Sequence, residues 1–257
     1  MRLPLTSRTG KNMTARLLRR FLHMVFPMNC RTCDNALEED PVPFFCQRCW
    51  NRIEPIRSPS CPRCAQPFPS PHALAHSPEH LCGPCRKHPP AYHRVWTPYA
   101  YQSPLKEAIG LLKYRGKTQL APALAGLIAQ THPAPTNVDV LIAVPLHPDR
   151  LREREYNQAL LLAHHLGRQW NLPVLIDVLR RTKPTTPQTS LTRRERLKNL
   201  RRCFAVATPS AVEGKTTLLV DDVFTTGTTV NECAKALRKA GAEAVYVQTL
   251  ARMNAHE

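Results

Sequence analysis

Two groups of residues in this chain have the types and spacing that do chemistry. Eight of its ten cysteines fall between residues 30 and 85 as four identical pairs: Cys30-x-x-Cys33, Cys46-x-x-Cys49, Cys61-x-x-Cys64 and Cys82-x-x-Cys85. A C-x-x-C turn puts two thiolates on one side of a tight knuckle, and two knuckles close a tetrahedron around zinc, which ionises all four thiols. Disulfides would also use paired cysteines, but they belong to secreted chains, and we read no signal peptide here. Four sulfurs leave no open position for water, so the two expected zinc ions are structural. Sequential pairing (30/33/46/49, then 61/64/82/85) is expected over interleaved pairing, because gaps of 12 and 17 residues close the smaller loops. Four histidines of the same region, His72, His76, His80 and His88, read as solvated loop residues, and the lone Cys203 and Cys233 as buried, inert thiols.

The second group is the segment Leu218 to Val230, LLVDDVFTTGTTV. An apolar strand delivers Asp221 and Asp222, and a loop of Thr225, Thr226, Gly227, Thr228 and Thr229 then opens into a helix. Backbone N–H groups over a helix N-terminus, with the helix dipole behind them, favour a dianionic phosphate. Gly227 lets the backbone come close to it and adopt positive φ. The two aspartates can accept hydrogen bonds from vicinal ribose hydroxyls and support a hydrated Mg²⁺. The plainer alternative is a turn capped by threonine with two ordinary acids, but two acids ending a buried strand are costly without a partner.

These residues need a scaffold, and from Tyr92 onward strand-like and helix-like segments alternate as a parallel α/β sheet requires. Strands are expected at Val95–Tyr101, Val138–Val144, Val174–Val178, Thr216–Val220 and Ala244–Leu250. Helices are expected at Pro104–Tyr114, with Leu105, Ala108, Ile109 and Leu112 on one face, and at Leu120–Ala129, Asn157–Trp170 and Thr228–Ala240. Gly241 stops the last helix, and Asn157 reads as the cap of its own. Ligands of such a sheet belong at the carboxyl ends of the strands. The phosphate loop is accordingly expected to run from Asp221 to Thr229.

Composition sets the outer limits. With 257 residues, 42% of them hydrophobic, the chain holds one full-sized domain and a small one. We expect a basic extension and helix over 1–29, a double ribbon over 30–90 and the α/β domain over 91–257. No apolar run is long enough to cross a bilayer, and the chain reads as cytoplasmic. Lys and Arg number 36 against 19 Asp and Glu, a formal charge of +17 that favours phosphate-bearing partners. Residues 180 to 202 alone carry nine cations against Glu195. Arg150, Arg152 and Arg154 recur every second residue, so in an extended loop they would line one side.

The acid pair and Thr/Gly loop resemble the 5-phosphoribosyl 1-pyrophosphate (PRPP) motif of type I phosphoribosyltransferases. Val144-Pro145-Leu146-His147 resembles the loop after that fold's first core strand, whose backbone contacts pyrophosphate. Arg150 to Ala159 (RLREREYNQA) resembles the Arg-rich, Tyr-Asn-Gln segment of the ComF competence-protein family. The segment Arg181 to Phe204 matches that family through Arg181, Gln188, Leu191, Arg196, Asn199 and Phe204. Glu155 departs from the glycine usual there. The family joins an N-terminal zinc-ribbon region to a phosphoribosyltransferase-like domain, and the resemblance covers nearly the whole chain from about residue 17. It implies that Asp221, Asp222, Thr225 to Thr229, Pro145, Leu146 and His147 bind PRPP with Mg²⁺. It further implies catalytic roles for Asp221, Asp222 and Arg196, and pyrophosphate or nucleic-acid contacts for Arg150, Arg154, Arg181 and Arg194. The expected role is DNA uptake, with single-stranded DNA and uptake-machinery proteins as partners. Transfer of phosphoribosyl to an unidentified acceptor and PRPP sensing are the alternatives.

Overall fold

A computed structural model describes residues 28–37, 39–57, 59–70, 72–75, 77–132, 135–182 and 203–253. The N-terminal extension and helix expected before residue 28, and the candidates Arg194 and Arg196, lie outside the described residues. By Cα proximity the chain divides into two compact units, Met1–Ile53 and Glu54–Glu257.

In the first unit, Cys30, Cys33, Cys46 and Cys49 bring their Sγ atoms within 4.8 Å of one another, on sequential pairing. The knuckle closes through Asp34 N–H donating to Cys30 O at 2.9 Å, with Asp34 at φ 58. The second pair opens a short helix, α1 (Gln47–Trp50). Leu37 packs on the sulfurs.

The second unit repeats this device. Ala65, at φ 57, donates to Cys61 O at 2.8 Å, and α2 (Gly83–Lys87) starts after Cys82. Its tetrad, Cys61, Cys64, Cys82 and Cys85, is buried throughout and also lies within 4.8 Å. Sulfur separations of 3.7 Å (Cys33–Cys46) and 3.6 Å (Cys64–Cys82) sit close to the edge of about 3.8 Å set by 2.3 Å Zn–S bonds in a tetrahedron. Backbone amides of Cys46 and Cys82 point at Cys30 Sγ and Cys61 Sγ, each at 3.4 Å, which favours thiolate. Burial opposes this at Cys30, yet the amides bring its thiol down to about 6. The two tetrads fit two structural zinc ions.

The same unit holds a six-stranded parallel sheet of order β1-β8-β7-β3-β4, with β2 beside β8. Its strands are β1 (Arg94–Trp96), β2 (Tyr99–Ala100), β3 (Val140–Ala143), β4 (Val174–Leu175), β7 (Thr216–Phe224) and β8 (Ala244–Arg252). Pro98 lacks an N–H and splits the expected edge strand in two. A separate antiparallel pair, β5 (Leu179–Arg181) and β6 (Phe204–Val206), was hidden in the sequence by its arginines.

Helices α3 (Leu105–Tyr114), α4 (Ala121–Thr131) and α6 (Gln158–Trp170) match their apolar periodicity: Leu105, Ala108, Ile109 and Leu112 are all buried. Asn157 caps α6, accepting from Ala159 N at 2.9 Å while donating to Val144 O at 3.0 Å. α6 packs on β3 and β7, whereas α7 (Thr228–Lys239) packs on β8 and β6. Cys203 and Cys233 are buried as expected.

The second tetrad shares one apolar core with Tyr92, Val95, Leu219, Val245 and Val247. Arg252, at the end of β8, donates to Cys64 O at 2.7 Å and lies 4.9 Å over the Phe224 ring. The ribbons are therefore expected to respond differently to ligand loss. Cys64→Ser and Cys33→Ser should each leave one zinc per chain by elemental analysis. Only Cys64→Ser should lower the main thermal transition, by about 10 °C or more, because its metal anchors the sheet's own core.

Candidate functional site

β7 and α7 build the centre of the site. β7 does not stop at Val220: it pairs with β8 from Thr216↔Ala244 through Asp221↔Thr249 to Phe224↔Arg252. The loop expected over 221–229 is thus shorter, because the apolar Val223 and Phe224 carry the strand past the acids. Only Thr225, Thr226 and Gly227 connect it to α7, whose first residues are Thr228 and Thr229.

Gly227 is the N-cap of α7 at φ 74, with no side-chain cap. A Cβ here would stand 2.6 Å from Phe224 Cζ, so the site demands glycine for both its angle and its space. Thr226 Oγ1 approaches Thr228 N only at 3.5 Å and shares a 2.9 Å hydrogen bond with Thr228 Oγ1. That is a long, poor cap, and the helix tip keeps donors for an anion.

Successive side chains of a strand point to opposite faces, so Asp221 and Asp222 part. Asp222 is 3% exposed and meets Lys113 of α3, with Nζ–Oδ1 2.9 Å. Its Oδ2 is buried and has no hydrogen-bond partner among the described residues. Burial works against the Lys113 ammonium, but Asp222 and Asp221 outweigh it and raise its pKa. Asp221 is on the side of Cys233, whose thiol is pushed up by burial and then by this carboxylate. Burial, then the charge of Asp222, push Asp221 itself up to about 7. The two acids stand close enough that each charge acts on its neighbour and both act on Lys113.

The sequence reading gave Lys113 no role. Its signal was there: Lys113 stands four residues after Ile109, on the border of the apolar stripe of α3. Tyr156 Oη donates to Leu112 O, and the Arg154 guanidinium lies 4.9 Å over the Tyr114 ring. Together these clamp the last turn of α3 and hold Lys113 against Asp222.

Pro145, Leu146 and His147 follow β3, next to β7 in the sheet. β3 connects onward to β4 and β7 to β8, on opposite sides, so this is the crevice where strand order reverses and where such sheets take ligands. His147 caps α5 (Pro148–Arg154), with Nδ1 3.2 Å from Asp149 N and 3.1 Å from Asp149 Oδ2. Nδ1 either accepts from the amide or, where it carries a hydrogen, donates to the carboxylate, never both.

The extended arginine loop expected over 150–154 is instead this helix. Pro148 at its start and Asp149 in its first turn were the overlooked signals. Arg150 pairs with Glu153 at 2.8 Å, Arg152 with Asp149, and Arg154 reaches Gln158 Oε1 at 3.1 Å. Residues two apart on a helix do not share a face, so Arg152 departs from the line of Arg150 and Arg154. Glu155, where the resemblance led us to expect glycine, ends the helix at φ 65, a left-handed position that glycine fills without strain. Arg181, in β5, lies 5.6 Å over the Phe204 ring of β6.

The raised pKa of Asp221 has a stability consequence. Between the unfolded value near 4 and the folded value of about 7, the native state holds a proton that the unfolded chain has lost, so this group's contribution to stability falls as pH rises through that window. Asp221→Asn should melt above the parent at pH 8, with the gap narrowing as pH falls toward 5.5. Parallel melting curves across that range would contradict the assignment.

Comparison with known proteins adds the family. Residues 21–86 match the double zinc ribbon domain, and residues 157–257 match the phosphoribosyl transferase domain. Competence protein F of Haemophilus influenzae is 31% identical, over 81% of this chain and 97% of that protein. DNA utilization protein YhgH of Escherichia coli K12 is 36% identical, over 75% of this chain and 83% of that protein. Among solved structures, a Bacillus subtilis glutamine PRPP amidotransferase is similar over 50% of this chain and 25% of its own, at 22% identity and a TM-score of 0.36. With both domain types present in order and these relatives matched over most of their length, the chain belongs to the ComF competence-protein family.

Proposed function

We propose that this protein binds PRPP with Mg²⁺ in the crevice at the ends of β3 and β7, and that it serves DNA uptake by handling single-stranded DNA on the cytoplasmic side. One observation carries the first half. A helix tip without a side-chain cap, at Gly227, follows five residues after the buried Asp222, whose Oδ2 has no hydrogen-bond partner among the described residues, at the reversal of strand order. The amides of Thr225 to Thr229 receive the ribose 5-phosphate. Asp222 Oδ2 accepts from a ribose hydroxyl, while Lys113 stays on Oδ1. Pro145, Leu146 and His147 would face the pyrophosphate, and a Mg²⁺ bound with it would offset its charge. Arg150, Arg154, Arg181 and Arg194 remain candidates for pyrophosphate or nucleic acid, and Arg196 for a catalytic role.

The second half draws on the relatives, which carry the names competence protein and DNA utilization protein, and on the +17 charge. Among the described residues no helix is long and apolar enough to cross a membrane. The organisation we propose is a basic extension (1–29), a double ribbon (30–90) and a phosphoribosyltransferase-like domain (91–257). The proposal is one of binding and does not require turnover.

Calorimetric titration of PRPP with Mg²⁺ tests the site. Loss of a charged hydrogen-bond acceptor should cost Asp222→Ala about 10- to 100-fold in affinity. Equal affinity in parent and variant would remove the site. For the DNA half, binding of single-stranded oligonucleotide in a gel shift should weaken steeply with salt, and no binding at about 50 mM salt would eliminate that half.

A further inference from the structure

Two features meet at His93, at the start of β1 and therefore at the opposite end of the sheet from the phosphate loop. Tyr246 pairs in register through β1 and β7 near Leu218, seven residues before Thr225, or about 23 Å along the strand.

The first feature is a cleft of about 410 Å³ lined by Arg63, Ala91, Tyr92, His93, Lys235 and Arg238. Two of its three permanent cations are held by neighbours. Lys235 pairs with Glu232 at 2.6 Å, Arg238 donates to Glu243 O, and Arg63 keeps a buried Nε with no hydrogen-bond partner among the described residues. A phosphate would satisfy that donor.

The second feature is a run of rings. His93 lies 5.6 Å from Tyr246, Tyr246 stacks on Trp96 at 5.2 Å and 23°, and Trp96 is 6.4 Å from His132. Arg94 and Trp96 share one face of the sheet with Tyr246, and His93, just before β1, reaches the Tyr246 ring from the sheet edge while its Nδ1 accepts from Val245 N at 3.2 Å. His93 is exposed, and Tyr246 and Trp96 are half-buried, so each offers ring surface to solvent.

Fixed cations beside partly exposed rings are the two halves of a single-strand site, in which a groove neutralises the backbone and aromatic faces stack the bases. An acidic peptide would use the cations and leave the rings without a role. We propose that this surface holds a single-stranded nucleic acid, with phosphates in the cleft of Arg63, Lys235 and Arg238 and bases against His93, Tyr246 and Trp96. It rests on the DNA-handling reading above and assigns it a place separate from the PRPP crevice.

The test uses the full zinc-loaded chain and fluorescein-labelled oligo(dT) of about 20 nucleotides, longer than one single-strand site. Anisotropy is followed against salt, and tryptophan emission is followed at fixed salt. Lys235→Gln with Arg238→Gln, both at exposed positions, should flatten the log–log salt slope by about 1.4. Tyr246→Ala should weaken binding about tenfold, and oligo(dT) should quench tryptophan emission in the parent but not in Trp96→Phe. Unchanged PRPP affinity in each variant shows that the fold persists. If the parent binds and every variant matches it, this surface is overturned while DNA handling stands. A changed salt slope without quenching, with polyglutamate displacing the oligonucleotide equally well, also overturns it. A parent that does not bind at about 50 mM salt fails the underlying reading instead.

Discussion

The opposite facing of Asp221 and Asp222 on β7 governs this site. β7 pairs with β8 on either side of Asp222, at Asp221 and Val223, and the two carboxylates meet different neighbours, Lys113 at Asp222 and Cys233 near Asp221. Asp222 must be buried against α3, where only a cation makes it tolerable, and Lys113 supplies one. Asp221 goes to the face of α7 and holds its proton to about neutral pH. The strand also fixes where the chain turns: Phe224 fills the space beneath Gly227, and α7 begins with its tip uncapped.

A line of contacts connects this turn to the second ribbon. Cys64 O accepts from Arg252, Arg252 covers Phe224, and Phe224 supports Gly227. The second cysteine knuckle thus stands two side chains from the turn of Thr225, Thr226 and Gly227. The first ribbon has the same knuckle geometry but belongs to the other compact unit, Met1–Ile53. Equal motifs therefore carry unequal mechanical importance, a difference invisible in four identical C-x-x-C spacings.

Much of this was legible in the residues. The tetrads, the stripe Leu105, Ala108, Ile109 and Leu112, the strand around Val140–Ala143 and the Asn157 cap each depend on spacing within one or two turns, which the sequence displays directly. What escaped depends on tertiary pairing. Aspartate is disfavoured in strands, so β7 read as ending at the acids, although β8 holds them in the ladder. The charges of Arg150 to Glu155 masked α5, and the arginines of β5 masked its pairing with β6. Lys113 lies in sequence 109 positions from Asp222, and only the fold joins them.

PRPP binding here requires that the uncapped tip of α7 and Asp222 Oδ2 receive one ligand. A crystal structure with PRPP and Mg²⁺ tests this most directly. The 5-phosphate should sit on the amides of Thr226 to Thr229, with a ribose hydroxyl donating to Asp222 Oδ2. A phosphate bound elsewhere, with that oxygen still unpartnered, would contradict it.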